Sequence, residues 1–300
     1  MTATAGVGQR HIPALAFPAL VGANVTLAFG PTLVRLADVG PVAAGFWRQM
    51  IALPVLILLA LWRDRGSGSA LRGLGPTTWL LLAGAGIFFA ADLAAWHHGI
   101  VRTKLANATL FANCSALIMP IIGALMLRQL PRPLHLAALA LAFVGTGLMM
   151  GSSYELAPEN LSGDLSSLLA GLFYAGYLLS ILRVRRAMAS WTALAAATAA
   201  SVLPMLLFAW MAGDAIMPHN WTPLILLALS SQIVGQGLMT YALAYFSPLV
   251  VGLALLIQPM VAALIGWLRF GEAMTLTDAL GAVAIAVALV LVRLPERKGA

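Results

Sequence analysis

The sequence predicts an all-α integral membrane protein of ten transmembrane helices, built as two inverted five-helix repeats with both termini cytoplasmic. Three observations carry that expectation. Of 300 residues, 61% are hydrophobic and 9% charged, against about a quarter charged in a soluble domain, and the mean hydropathy is +0.95. So little charge cannot cover a surface in water, so the bilayer must be the solvent. The apolar runs are long and continuous, which suits helices, whereas barrel strands alternate over short segments. The two halves of the chain also resemble each other in pattern.

Taken in order, the runs lie between charged or Gly/Pro punctuation at 13–36, 41–62, 76–98, 105–127 and 134–151, then 164–182, 191–212, 222–245, 248–269 and 276–293. Each reaches or approaches the roughly 20 residues that cross about 30 Å of hydrocarbon. The first run follows Arg10 but far exceeds a signal-peptide core of about 7–15 residues, so it reads as a retained helix. With the N-terminus inside, the inner loops and tails hold twelve of the 17 Lys and Arg residues, among them Arg63, Arg65, Arg183, Arg185 and Arg186. The outer side holds four, of which Arg102 and Lys104 run against the rule, and Arg48 lies within a span. The net charge of +7 is thereby a topology signal and not a nucleic-acid footprint.

Sliding the chain on itself by 143 residues superimposes Ile122-Gly123-Ala124-Leu125 on Ile265-Gly266-Trp267-Leu268 and Gln129 on Glu272 without a gap. An odd number of spans per copy forces the second to enter from the opposite side, giving an inverted repeat. The organisation expected is a tail at 1–12, repeats at 13–151 and 164–294, an outer linker at 152–163 and a tail at 295–300.

Polar side chains within a membrane are costly and usually face a cavity or a partner. They concentrate here in spans 1 (Asn24), 3 (Asp92, Trp96), 4 (Asn107, Thr109, Asn113), 6 (Tyr174, Tyr177), 8 (Gln232, Gln236, Thr240) and 9 (Gln258). Asp92 and Trp96, Thr109 and Asn113, and Gln232, Gln236 and Thr240 are spaced by four, and Tyr174 and Tyr177 by three, which puts each of these sets on one helix face. These spans are expected to enclose a cavity, with Asn24, Asp92, Trp96, Asn113, Tyr174, Tyr177, Gln232, Gln236 and Gln258 as its binding residues. The competing reading for each is an interhelical hydrogen bond. Spans 5, 7 and 10 are nearly pure Ala, Leu and Val and are expected to face lipid. Pro120, Pro204 and Pro259 are expected to interrupt and bend their helices.

Arg48 and Asp92 each lie about seven residues, or roughly 10 Å, from the outer ends of successive spans. They form either a structural ion pair or a site where Asp92 leaves Arg48 to take an ammonium group or a proton. His97 and His98 fall in what reads as the last turn of span 3, where interfacial anchoring outweighs metal binding because the other histidines sit at loops or ends. The single thiol, Cys114, allows no internal disulfide. No Walker A loop, GxSxG elbow, HExxH or Cys/His cluster occurs, so no enzyme activity, metal or cofactor is expected. The expected partners are a small-molecule substrate and the lipid bilayer, with no nucleic acid, and a monomer suffices.

Ala19–Asn24, Phe46-Trp47-Arg48, Ala106-Asn107-Ala108-Thr109-Leu110, Gln258-Pro259 and Phe270-Gly271-Glu272 resemble, in order and spacing, the drug/metabolite transporter superfamily in its ten-helix EamA-type branch. The resemblance covers about residues 14–294. It implies two inverted five-helix repeats around a cavity lined by spans 1, 3, 4, 6, 8 and 9, and export of a metabolite through the bacterial inner membrane. The Asn-Ala-Thr-Leu run is most like the YddG-type exporters of aromatic and other neutral amino acids. Two departures are Gln129, where the second repeat has Glu272, and Ala116, where it has Pro259. Rival readings are an exporter of drugs, lipophilic cations or sugars, and, from another class, a lipid-modifying membrane enzyme using Asp92 and the histidines.

Overall fold

The computed structural model describes residues 13–64, 73–103, 105–116, 118–119, 121–122, 133–151, 158–270 and 275–291. The described residues are almost entirely helical. The first half holds α1 (Ala16–Leu27), α2 (Gly30–Leu36), α3 (Pro41–Arg63), α4 (Pro76–Arg102), α5 (Leu105–Ala112) and α6 (Pro133–Gly151). The second holds α7 (Leu161–Val184), α8 (Ser190–Met211), α9 (Thr222–Leu227), a π-helical segment (Ala228–Gly235), α10 (Gln236–Ala242), α11 (Pro248–Leu255), α12 (Ile257–Phe270) and α13 (Leu276–Leu291).

The breaks have chemical causes. A proline lacks the N–H that would bond the carbonyl four residues back, and its ring crowds that carbonyl. Pro31 accordingly follows the end of α1 at Leu27 by four residues, and Pro259 follows the end of α11 at Leu255 by four. Pro204 behaves otherwise and lies inside an unbroken α8, so the expected interruption there is absent. Pro120 lies outside the described residues.

Among the described residues, seven helical stretches are long and apolar enough to cross a membrane: Ala16–Leu36, Pro41–Arg63, Pro76–Arg102, Pro158–Val184, Ser190–Met211, Thr222–Ala242 and Pro248–Ile265. Pro133–Met149 and Leu276–Leu291 are shorter apolar helices. The expected span 105–127 is described as α5 and a few residues beyond it; Gln129 and Glu272 lie outside the described residues. The third span needs a correction. It continues through Gly99-Ile100-Val101 to Arg102, which places Asp92 ten residues, roughly 15 Å, from the helix end. His97 is therefore no interfacial anchor. It is fully buried, with Nδ1 2.7 Å from the Pro41 carbonyl oxygen at the start of α3. A carbonyl only accepts, so Nδ1 carries the proton.

The helix pairings show a two-fold exchange between the halves. α4 packs on α7, and α1 packs correspondingly on α10 and the π segment. α5 packs on α7, as α11 and α12 pack on α1; α4 on α8, as the π segment on α3. Two pairs, α3 with α8 and α6 with α13, are their own counterparts. Reciprocal caps fix the sense of the α3–α8 pair. Asp64, just past the end of α3, accepts from the Thr192 backbone N–H (2.8 Å) and Oγ1 (3.0 Å) in the first turn of α8. Asp214, just past the end of α8, accepts from the Ala43 N–H (2.8 Å) in the first turn of α3. Each carboxylate thus satisfies an orphan donor at the positive end of its neighbour. α3 and α8, which the exchange makes equivalent, therefore run antiparallel, as an inverted relation requires.

A third carboxylate ties the loops on the Asp214 side. Asp38, between α2 and α3, accepts from the backbone N–H groups of His219 (2.8 Å) and Asn220 (2.9 Å). Those donors, Asn220 first, hold its carboxyl below the ordinary carboxylate range. A depressed folded-state value adds stability that is present above the ordinary range and disappears as pH falls through the folded value. Asp38→Ala is therefore expected to lower the melting temperature at neutral pH, with the gap from wild type closing in acid. An equal gap at every pH would show that the carboxylate charge plays no part.

Candidate functional site

A cavity opens between the halves, walled by Arg48 from α3, by Phe89, Asp92, Leu93 and Trp96 from α4, and by Thr109, Ala112, Asn113 and Ser115 from α5 and the residues after it. The second half contributes Gly171 and Tyr174 from α7, Gln236 from α10, Leu255 from α11 and Gln258 from α12, while Leu27 of α1 completes the wall. The space available to the centres of water molecules is about 60 Å³, room for a few waters. In this shape the cavity is narrow, and a metabolite requires it to widen.

Six of the nine sequence-predicted binding residues reach the wall: Asp92, Trp96, Asn113, Tyr174, Gln236 and Gln258. The other three stand behind it, each bonded to a wall residue. Gln232 is fully buried and accepts from Arg48 Nε at 3.0 Å through Oε1, while its Nε2 donates to Thr198 Oγ1 of α8 at 3.0 Å. Arg48 can only donate, so the amide orientation is fixed. Asn24, fully buried, accepts from Gln258 Nε2 at 3.0 Å and anchors its own Nδ2 on the Leu20 carbonyl at 2.8 Å. Tyr177, also fully buried, donates to Gln236 Oε1 at 3.3 Å, and Gln236 Nε2 donates to Tyr174 Oη at 3.4 Å. Both of these bonds are long and correspondingly weak.

Aromatic rings hold this polar set in place. Phe89 stacks on Tyr177 with centroids 4.3 Å apart, Tyr177 stacks on Tyr174 at 5.9 Å, and the Arg48 guanidinium lies 5.6 Å from the Phe89 centroid. That distance is within cation–π range. Trp96 has its indole Nε1–H buried without a partner, and so does the Gln49 amide at both ends. Trp96 lines the cavity and Gln49 does not, so the indole N–H is the orphaned donor there that a ligand or water can satisfy.

Arg48 and Asp92 share the wall, and the Nε of Arg48 is directed to Gln232. Both are more than nine-tenths buried. Among the described residues they are the only charged side chains on the wall. Phe89 and Leu93 are wall residues that the polar census cannot find. Phe89 is three residues before Asp92 and seven before Trp96, so helical spacing alone marks it. Among the described residues, spans 5, 7 and 10 contribute nothing to the wall. The seventh departs from the expected lipid-facing role. α8 packs against α3 and α4, and its Thr198 holds the amide that holds Arg48. The π segment that carries Gln232 is typical of functional sites in helices.

Two comparisons place this architecture. A solved crystal structure superimposes with a TM-score of 0.77 over 93% of this chain and 96% of its own, at 18% identity, which establishes a shared fold. A search of curated proteins finds no match. The EamA-like transporter family matches residues 15–151 and, as a second copy, 161–294. The chain therefore belongs to the EamA-like transporter family and is a multi-pass membrane transporter.

Proposed function

We propose that the protein exports zwitterionic amino acids, aromatic and other neutral ones foremost, across a bacterial inner membrane. The observation that carries this reading is the wall itself, on which one guanidinium and one carboxylate are the only charged groups among the described residues. A zwitterion presents one carboxylate and one ammonium. Arg48 then receives the substrate carboxylate through its remaining N–H groups, which suit a carboxylate bidentately. Asp92 receives the ammonium, and the Gln236 and Gln258 amides, Asn113 and the Trp96 N–H complete the polar contacts. Tyr174 and Phe89 offer apolar faces to the side chain. Without substrate, Arg48 and Asp92 offset one another's charge in a medium where an isolated charge is costly.

Ten spans in two inverted halves, with both termini cytoplasmic, give the cavity its means of alternating access, because one half rocks against the other around a central site. A lipophilic cation is the weaker alternative, since Arg48 in the same wall repels it.

The test is counterflow of labelled phenylalanine, methionine and threonine in liposomes holding the purified protein, with and without a pH gradient. Saturable flux absent from empty liposomes supports the reading, and acceleration by the gradient adds Asp92 as a coupling site. Flux of none of them, in protein that still unfolds cooperatively, overturns it.

A further inference from the structure

A second and roomier concavity lies at the other end of the α3–α8 pair, where α3 ends, α8 begins and α10 runs out. Arg63, Asp64, Arg185, Trp191, Tyr241 and Tyr245 frame it, and about 370 Å³ is open to the centres of water molecules, against about 60 Å³ in the central cavity. We propose that this pocket binds a phosphate group, presented by an anionic phospholipid headgroup at the membrane interface.

The framing chemistry is that of an anion site. Arg185 donates from Nε to the Thr240 carbonyl at 3.1 Å and from Nη1 to the Met188 carbonyl. Two neutral carbonyls fix the plane of the guanidinium without cancelling its charge. Arg63 is exposed, and its guanidinium stacks on the Trp62 ring at 4.6 Å, which orients it without pairing it. Asp64, the one carboxylate among the described residues of the pocket, is engaged at the first turn of α8 through Thr192. Two guanidinium groups thus face one committed carboxylate. The two phenols, whose rings lie 5.2 Å apart and which are hydrogen-bonded to each other, line the pocket with Ser190 and Trp191, so its polar side chains carry O–H and N–H groups. Phosphate is the ligand that takes several donors at once, and planar guanidinium groups match its oxygens.

The surroundings favour a lipid over a free ion. Leu61 and Trp62, which adjoin Arg63, are 65% and 57% exposed at the end of a spanning helix. Arg63 therefore stands where an apolar surface meets the headgroup layer, the usual place of amphipathic aromatics and snorkelling cations. The floor is shaped as well. A Cβ on Gly237 would come 2.8 Å from the Trp191 ring, so the indole lies directly on the α10 backbone and keeps the pocket open beside it.

The test is native mass spectrometry of the whole protein from micelles doped with equal phosphatidylglycerol and phosphatidylcholine of the same chains, beside thermal unfolding in inorganic phosphate. Preferential retention of phosphatidylglycerol is expected, falling about threefold in Arg63→Gln and about tenfold in Arg63→Gln/Arg185→Gln. Arg63 is exposed, so its variant folds even where the double variant does not. Stabilisation by inorganic phosphate that depends on Arg63, without a headgroup preference, would keep the phosphate site and assign it a soluble source. Equal retention of the two lipids together with no response to phosphate overturns the proposal. None of these readouts requires amino-acid transport.

Discussion

Arg48→Ala is expected to reduce amino-acid counterflow in liposomes by about thirtyfold or more. Removing one partner of a desolvated, hydrogen-bonded charge pair costs roughly 2–5 kcal/mol, and 2 kcal/mol is about thirtyfold in affinity. Three losses coincide at this position: the proposed anchor for the substrate carboxylate, the positive neighbour of Asp92, and the donor that satisfies Gln232 Oε1. Arg48→Lys keeps the charge but cannot present a fork, so an intermediate loss is expected. Gln232→Ala leaves the guanidinium in place but untethered, and a smaller loss, seen mainly as a raised half-saturation concentration, is expected. Wild-type flux in a well-folded Arg48→Ala protein would remove the guanidinium from the binding site.

The second large effect is on stability. α6 and α13 touch backbone to backbone where Gly145 meets Gly281. A Cβ at Gly145 would lie 2.6 Å from the Gly281 carbonyl oxygen, and one at Gly281 would lie 2.4 Å from the Gly145 carbonyl oxygen. Neither oxygen belongs to a flexible side chain, so the helices must separate. Small residues permit such close approach in membranes, where association depends on packing and not on the hydrophobic effect. Overpacking typically costs about 1–3 kcal/mol. Either Gly→Ala change is expected to lower thermal stability in detergent by that order, despite alanine's better helix propensity. Gly147, one turn-edge away on α6, meets nothing within 4 Å of a built Cβ. Gly147→Ala is accordingly expected to be neutral or to gain up to about 1 kcal/mol. If all three variants melt alike, the α6–α13 contact is not close packed.

Sequence patterns go a long way toward this fold because the bilayer forces helices. The limits of α3 follow from Gly40-Pro41 at one end and Arg63-Asp64 at the other. Spacing also finds the inward faces of α4 and α5, since Asp92 with Trp96, and Thr109 with Asn113, reach the wall as pairs. What spacing cannot supply is the rotation of one helix against the next. Asn24, Tyr177 and Gln232 lie on inward faces too, yet each points at a neighbour and supports a wall residue from behind. Gln232 is the hardest case, because an i, i+4 count assumes α geometry and this residue lies in a π segment. His97 shows a different limit. Ending its helix at His98 places the imidazole at the surface, whereas one further turn to Arg102 buries it against Pro41. The Asp64 and Asp214 caps are likewise invisible in sequence, because their partners are 128 and 171 residues away.

The Arg48–Gln232 hydrogen bond also bears on how the chain is made. Its partners are 184 residues apart, and ribosomes add about 5–20 residues per second. Arg48 is thus synthesised roughly 10 to 40 s before Gln232, and inserting an isolated arginine at a helix centre costs about 2.5–3.5 kcal/mol at the translocon. Asp92 is synthesised only 44 residues after Arg48 (92 − 48), a delay of about 2 to 9 s. The nascent hairpin of α3 and α4 therefore carries its own counter-charge into the membrane. The guanidinium passes to its amide anchor only when the second half has been inserted, so the residues proposed to grip the substrate also serve the birth of the protein.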